Sequence, residues 1–198
     1  MVQKSKIKGT QMRKLFCIML LIFAWNTSAL ATADAGVNSK WNAHVSEFAA
    51  QSYLQGGLKL TASQKHEVDC LAKAIFFEAR GESYAGKVMV ANVVLNRAKF
   101  GKPFSNTICG VIYQPRQFSW TSNKWKRNTS FREVARKFDS KEHKAVVESL
   151  EIALKFVILD TKNTGKCTHF SSKSDKFGRT LFIKQVGNHK FYQYLGNG

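Results

Sequence analysis

Leu71-Ala-Lys-Ala-Ile-Phe-Phe-Glu-Ala-Arg-Gly-Glu82 is the stretch on which the reading of the whole chain turns. Val68, Leu71, Ala72, Ile75 and Ala79 fall at helical spacing and form one apolar stripe. On the helical wheel Glu78 lies beside Leu71, at the edge of that stripe and away from the wet face. Gly81 then supplies a stop signal. A carboxylate placed there is partly desolvated, which raises its pKa and keeps some of it protonated near neutral pH. That is the state a general acid needs. The same position also suits a Glu that reaches out to solvent or pairs with Arg80 or Lys73.

Moving outward, Thr61-Ala-Ser-Gln64 reads as a capping box that launches this helix. A second helix is predicted over Tyr84 to Lys99, with Val88, Ala91, Val94, Leu95 and Ala98 as its stripe. Asn96 and Arg97 close it, and Gly101-Lys-Pro103 makes the turn. Ser105 or Asn106 is the expected cap of a short helix through Ile108, Val111 and Ile112, stopped before Pro115. Residues 130–159 are again helical, with a break at Asp139-Ser140 between Phe138 and a long stripe of Val146, Leu150, Ala153, Leu154 and Val157. Glu142, Glu148 and Glu151 are expected on its solvated face.

After Gly165 the period changes to two. Thr168-His-Phe-Ser171, Arg179 to Val186 and Lys190 to Leu195 read as three short strands, the last two joined by a Gly187-Asn188 turn. The fold class is therefore α+β, mainly helical with a small C-terminal antiparallel sheet. His169 and His189 fit either a hydrogen-bonding frame or a cleft.

Gln114 to Asn128 carries few helix or strand signals but is rich in polar and aromatic groups. Aromatic faces stack on the C–H surfaces of sugars while Gln and Ser bind hydroxyls, so this loop suits sugar recognition. Aromatic core plugs are the competing reading. The expected division places Phe118 inward and Gln117, Ser119 and Trp120 toward a cleft.

The totals set bounds. A chain of 198 residues permits one domain with a proper core and hardly two. Its 31 Lys plus Arg against 13 Asp plus Glu give a net charge of +18, which implies an anionic partner. Lys4, Lys6, Lys8, Arg13 and Lys14 precede the apolar run Leu15 to Trp25, and Ala29-Leu-Ala31 fits a cleavage site. Residues 1–31 therefore read as a secretory signal peptide, with Met12 an alternative start. Its removal leaves 26 basic and 13 acidic residues, +13. Export to the periplasm or beyond excludes cytosolic nucleic acid as the partner and leaves membrane or wall polymer. Residues 32–60 read as a linker, broken at Gly56-Gly57, with Trp41, Phe48, Tyr53 and Leu54 able to pack as a short amphipathic turn. The domain proper is 61–198. Cys70, Cys109 and Cys167 remain after cleavage, so one disulfide and one free thiol are possible. Cys167 and His169 match no usual structural zinc spacing.

The run Cys70 to Arg97, with Ile108-Cys-Gly-Val-Ile-Tyr113, Gln117-Phe-Ser-Trp120, Thr168-His-Phe170 and Val186-Gly-Asn-His-Lys-Phe-Tyr192, resembles the SleB-type cell wall hydrolases. These include the spore cortex-lytic enzymes, and the likeness spans roughly residues 68 to 193. It implies a lysozyme- or transglycosylase-like domain that cuts peptidoglycan between N-acetylmuramic acid and N-acetylglucosamine, with no metal or cofactor. Glu78 matches the family's catalytic acid. Glu82 is a second candidate, as a catalytic group, an orienting group or a cap for the next helix. Gln117, Ser119, Trp120, His169, His189 and Tyr192 are the expected substrate-binding residues. Cys70 and Cys109 both lie in helical, family-like segments, which favours their pairing. Thr121-Ser-Asn-Lys-Trp125 departs from the usual continuation of the family motif. The implied partners are glycan strands and an anionic envelope surface, met as a monomer. The alternatives are a non-catalytic wall-binding module and a cationic, phage-type lysis protein. Amide hydrolysis is the runner-up within the enzyme class, and the His, Cys and acidic residues are poorly arranged for it.

Overall fold

The computed structural model describes residues 44–159, 165–173 and 177–196. The predicted signal peptide and residues 32–43 lie outside them. By packing the chain divides into Met1–Val45 and Ser46–Gly198, and the elements that carry function lie in the second unit. The described elements run α1 (44–55), α2 (Ala62–Ala79), α3 (Tyr84–Phe100), α4 (Ile108–Tyr113), a 3-10 turn (Ser119–Ser122), α5 (Lys124–Asn128), α6 (Phe131–Ile158), β1 (His169–Ser171), β2 (Thr180–Val186) and β3 (His189–Tyr194). This is the expected mainly helical α+β class. Among the described residues, no helix is long and apolar enough to cross a membrane.

Helix α2 is the central element. It starts at the predicted capping box: the Gln64 backbone N–H donates to Thr61 Oγ1 and the Thr61 N–H to Gln64 Oε1, both at 3.1 Å. Its Val68, Leu71, Ala72, Ile75, Phe76 and Ala79 are buried, and it packs against α3, α4 and α6. Each large apolar side chain buried this way contributes on the order of 1.5–3 kcal/mol. Cys70 on α2 is disulfide-bonded to Cys109 on α4, and Cys167 is free and buried.

Several expectations shift. Part of the predicted linker is α1, which ends at Gly56 with φ +87°. Ala50 and Tyr53 enter the core, Tyr53 being 2% exposed with its hydroxyl donating to Asp69 at 2.5 Å. The packed body therefore begins well before residue 61. The cap of α4 is Thr107, whose hydroxyl accepts from the Gly110 N–H at 3.0 Å, not Ser105 or Asn106. The kink in α6 falls at Glu142 (φ −133°, ψ 29°), after Asp139-Ser140. Glu148 leaves the solvated face to pair with the buried Lys87 at 2.9 Å, and Glu142 meets Arg80 at 3.4 Å. Glu151 is half-buried, and burial and the neighbouring Glu47 raise its pKa.

The sheet has strand order β1-β3-β2, antiparallel throughout. One face packs on α3: Phe191 and Cys167 are buried with Met89 and Val93, and Phe170 and Val186 close the cluster. Period-two alternation sends Tyr192 and its cross-strand partners His169 and Phe182 to the other face.

Candidate active site

Glu78 is the penultimate residue of α2. Helix phase decides its setting: Ile75, Phe76 and Ala79 are buried, while Phe77 and Glu78 lie half-buried at the margin. The chain then reverses within four residues. The Glu82 N–H donates to Ala79 O at 2.9 Å, and Ser83 caps α3 by accepting from the Gly86 N–H at 3.3 Å.

Burial drives the Glu78 carboxyl above the ordinary Glu pKa, and the charges of Arg97 and Lys126 offset only part of that rise. Arg97 comes from α3 and is 5% exposed. Its Nε donates to Thr168 O on the approach to β1 at 2.6 Å, and its guanidinium lies 5.4 Å and 5.7 Å from the ring centres of Phe104 and Phe118. Burial lowers the Arg97 pKa to about 10 against the opposing pull of Glu78. Its Nη1 is buried without a protein partner among the described residues. Lys126, from α5, holds its Nζ 4.9 Å above the Phe77 ring.

The structure thus gathers Glu78, Arg97 and Lys126, from three helices, around one carboxyl. His169 belongs to this group. Burial and the Arg97 charge depress its pKa to about 4, so the ring is neutral at physiological pH. Its Nδ1 is hydrogen-bonded to Thr168 Oγ1 at 3.1 Å, and its ring packs on Phe104, Phe177 and Tyr194. Tyr192 stands directly opposite His169 and Phe182.

The other expected site residues differ in exposure. Phe118 is inward as predicted, at 3% exposure, and Ser119 is exposed. Gln117 is half-buried, its backbone N–H donating to Gln114 O at 3.2 Å. Trp120 is a correction: it is 6% exposed and packs against Phe77 and Tyr113, at ring-centre distances of 5.1 Å and 6.1 Å. Phe77 sits on the margin of α2 and recruits that indole as a core plug.

Glu82 and His189 form a second cluster at the β2–β3 turn. Glu82 accepts from both the backbone N–H and the side-chain amide of Asn188. His189 is buried between Phe170 and Phe191, and desolvation lowers its pKa against the pull of Glu82. Its Nδ1 has no protein partner among the described residues.

Among the described residues one set has metal-ligand proximity: His66, Cys70 and Cys109, with ligand atoms within 4.8 Å of one another. Both of its thiols are consumed in the disulfide, so it cannot act as a thiolate site.

Sequence reasoning passed over Arg97 and Lys126 as partners of Glu78. Arg97 had a signal, since it continues the buried Val90–Val93–Val94 face of α3 at helical spacing. A charge on that stripe must meet something. Lys126 had none.

The profile of the family described as Cell Wall Hydrolase matches residues 81–192, which include Arg97, His169 and Tyr192. A spore cortex-lytic enzyme of Bacillus cereus is 44% identical over 55 residues, 28% of this chain and 21% of that protein. Those of Oceanobacillus iheyensis and Bacillus subtilis are 44% identical over 55 residues and 43% over 54, covering 20% and 17% of their lengths. The chain thus aligns with about a fifth of the length of these curated relatives. Among solved structures, the catalytic domain of the germination-specific lytic transglycosylase SleB from Bacillus anthracis aligns at 24% identity and TM-score 0.48, over 67% of this chain and 98% of that one. The Bacillus cereus SleB catalytic domain aligns at 25% and 0.46, over 63% and 88%. With its profile matched over more than half of the chain, the protein belongs to the cell wall hydrolase family.

Proposed function

We propose that this protein is an exported enzyme that cleaves the bond between N-acetylmuramic acid and N-acetylglucosamine in peptidoglycan as a lytic transglycosylase, with Glu78 as its single catalytic carboxyl. The observation that carries this reading is the company Glu78 keeps. Its carboxyl is raised by burial, and among the described residues the charges acting on it are both cations, Arg97 and Lys126. Glycosidases that work with water use two carboxyl groups roughly 5–10 Å apart. A second carboxylate at the short end of that range would push Glu78 further up, and here the charges pull it down.

One carboxyl suffices if the substrate supplies its own nucleophile. Protonated Glu78 gives its proton to the glycosidic oxygen as the C1–O bond breaks, and the bonding pair leaves with that oxygen. The muramic C6 hydroxyl then bonds to C1, closing a 1,6-anhydro ring, and its proton returns to Glu78. Between these steps Glu78 is an anion, and Arg97 and Lys126 stabilise it. The curated relatives are spore cortex-lytic enzymes and one structural neighbour is described as a lytic transglycosylase, which agrees with a wall substrate reached outside the cytoplasm. The net charge of +13 left after removal of residues 1–31 suits adhesion of a monomer to an anionic envelope.

Digestion of purified sacculi followed by mass analysis tests this. Fragments should end in anhydromuramic acid, and Glu78→Gln should yield none. Reducing ends would instead demand water and a second carboxyl. If the wild-type protein bound sacculi without releasing fragments, the chain would be a wall-binding module.

A further inference from the structure

The sheet carries a feature that bond cleavage at Glu78 does not use. His169 on β1, Tyr192 on β3 and Phe182 on β2 are direct cross-strand partners, so their side chains stand in one row on the face opposite Phe191. Phe177 lies along the row, its ring centre 5.0 Å from that of His169 and 5.3 Å from that of Tyr192, and Phe182 continues it at 5.6 Å from Tyr192. At one end, His169 feels the Arg97 charge that also acts on Glu78. At the other, Phe182 is 51% exposed on the edge strand β2. It stands in a run of three exposed apolar residues on that strand, Leu181, Phe182 and Ile183, and an exposed apolar edge strand is a ready surface for a binding partner.

We propose that this row is a sugar-binding platform that holds units of the glycan strand remote from the bond being cut. This deepens the glycan-cleaving reading and rests on it for the identity of the ligand. Three observations select the occupant. The row begins beside the Glu78 group: Arg97 donates to the carbonyl of Thr168, the neighbour of His169, at 2.6 Å, and Phe104 packs against both Arg97 and His169, so a linear polymer that reaches the carboxyl has the row next to it. It alternates apolar ring faces with the polar edges of Tyr192 and His169, and a pyranose likewise offers C–H faces and hydroxyl rims. Finally, a second copy of the exported chain would bring another strongly positive charge, 26 basic against 13 acidic residues over 32–198, to the same edge, whereas wall polymer brings carboxylates.

The test is binding of soluble, uncrosslinked glycan strands by the full chain in the Glu78→Gln background, where no cleavage intervenes. About 0.5 M NaCl shortens the Debye length to a few ångströms and suppresses general charge attraction. Phe182→Ala should weaken binding roughly tenfold and Phe182→Trp should restore it. Leu181→Ala is the control: it is equally exposed, but strand alternation turns it to the other face, so it should change nothing. Equal effects of Phe182→Ala and Leu181→Ala, or no effect of either, overturn the platform. So does a shift in sedimentation on Phe182→Ala with binding intact, which would make the edge a self-association surface. Failure of the platform alone leaves Glu78-dependent release of anhydro fragments standing. Failure of the cleavage reading leaves Phe182-dependent binding without any release.

Discussion

Glu82 accepts hydrogen bonds from the backbone N–H of Asn188 at 3.1 Å and from its side-chain amide at 3.0 Å, across 106 residues of chain. This pins the β2–β3 turn to the turn between α2 and α3, one helical turn beyond Glu78. Gly187 completes the fit, with φ +57° and no room for a Cβ beside Glu82 Oε2. Both oxygens of the second carboxyl of the Glu-Ala-Arg-Gly-Glu motif are therefore engaged by the β2–β3 turn.

Glu82→Ala should accordingly lower stability by about 1–2 kcal/mol, from two surface-proximal hydrogen bonds. Gly187→Ala should cost at least as much, because a Cβ is both strained at that φ and crowded by Glu82. Both should still release fragments with the wild-type end groups, more slowly. Thermal melts and mass analysis of the products check this. A folded Glu82→Gln protein with turnover abolished as completely as in Glu78→Gln would place Glu82 in the chemistry instead.

Lys126→Met removes one of the two cations that pull the Glu78 pKa down. The acid form should then persist to higher pH, and the alkaline limb of the pH–rate profile should move upward. Arg97→Met would act in the same direction, but it also strips the bond to Thr168 and the contacts with Phe104 and Phe118. Lys126, half-buried on the short α5, is the cleaner probe. An unmoved or lowered alkaline limb would show that Glu78 does not feel this charge.

Local rules made much of this legible. Thr61 and Gln64, the stripe of α2 and the Gly187-Asn188 turn each declare themselves within a few residues, and the structure has them where the pattern put them; on α3 the buried face is turned toward Met89, Val90, Val93 and Arg97, leaving Val88, Leu95 and Ala98 half-buried. Helix phase sets Glu78 at a burial margin, and there the structure has it, half-buried. What stayed hidden depended on contacts distant in sequence. Trp120 reads as a sugar-facing aromatic until Phe77 is seen beside it. Tyr53 reads as part of a linker until Asp69 and Arg132 take its hydroxyl and its carbonyl. Glu148 looks solvated until Lys87, buried on α3, proves to need it.

The Cys70–Cys109 bond closes a loop of 39 residues between α2 and α4. On a chain-entropy basis a loop of that length stabilises the fold by about 4 kcal/mol. Cys70→Ala combined with Cys109→Ala should therefore lower the denaturation midpoint markedly while leaving Glu78 in place. Chemical unfolding with and without the pair measures the difference. A change below about 1 kcal/mol would mean that the unfolded chain is already compact around these helices.

Glu78 and His169 should give stability opposite pH dependences. The folded pKa of Glu78 is raised, so its contribution is present below the unfolded Glu pKa and is lost as pH rises through the folded value. His169 is depressed to about 4 from the usual 6.5, so its contribution is present above 6.5 and is lost as pH falls toward 4. A fully buried ring shifted that far would account for about 3 kcal/mol. With partial exposure and solvent screening, about 1–2 kcal/mol is the expected loss. Denaturant unfolding at pH 7 and pH 4.5 should then show His169→Gln flattening the acid side of the stability curve. Glu78→Gln should raise stability on the alkaline side. Nuclear magnetic resonance supplies the direct check, since the His169 ring should not titrate between pH 5.5 and 8. A midpoint near 6.5 would mean that water reaches the ring freely. The group around Arg97 would then be too open to shelter a protonated Glu78.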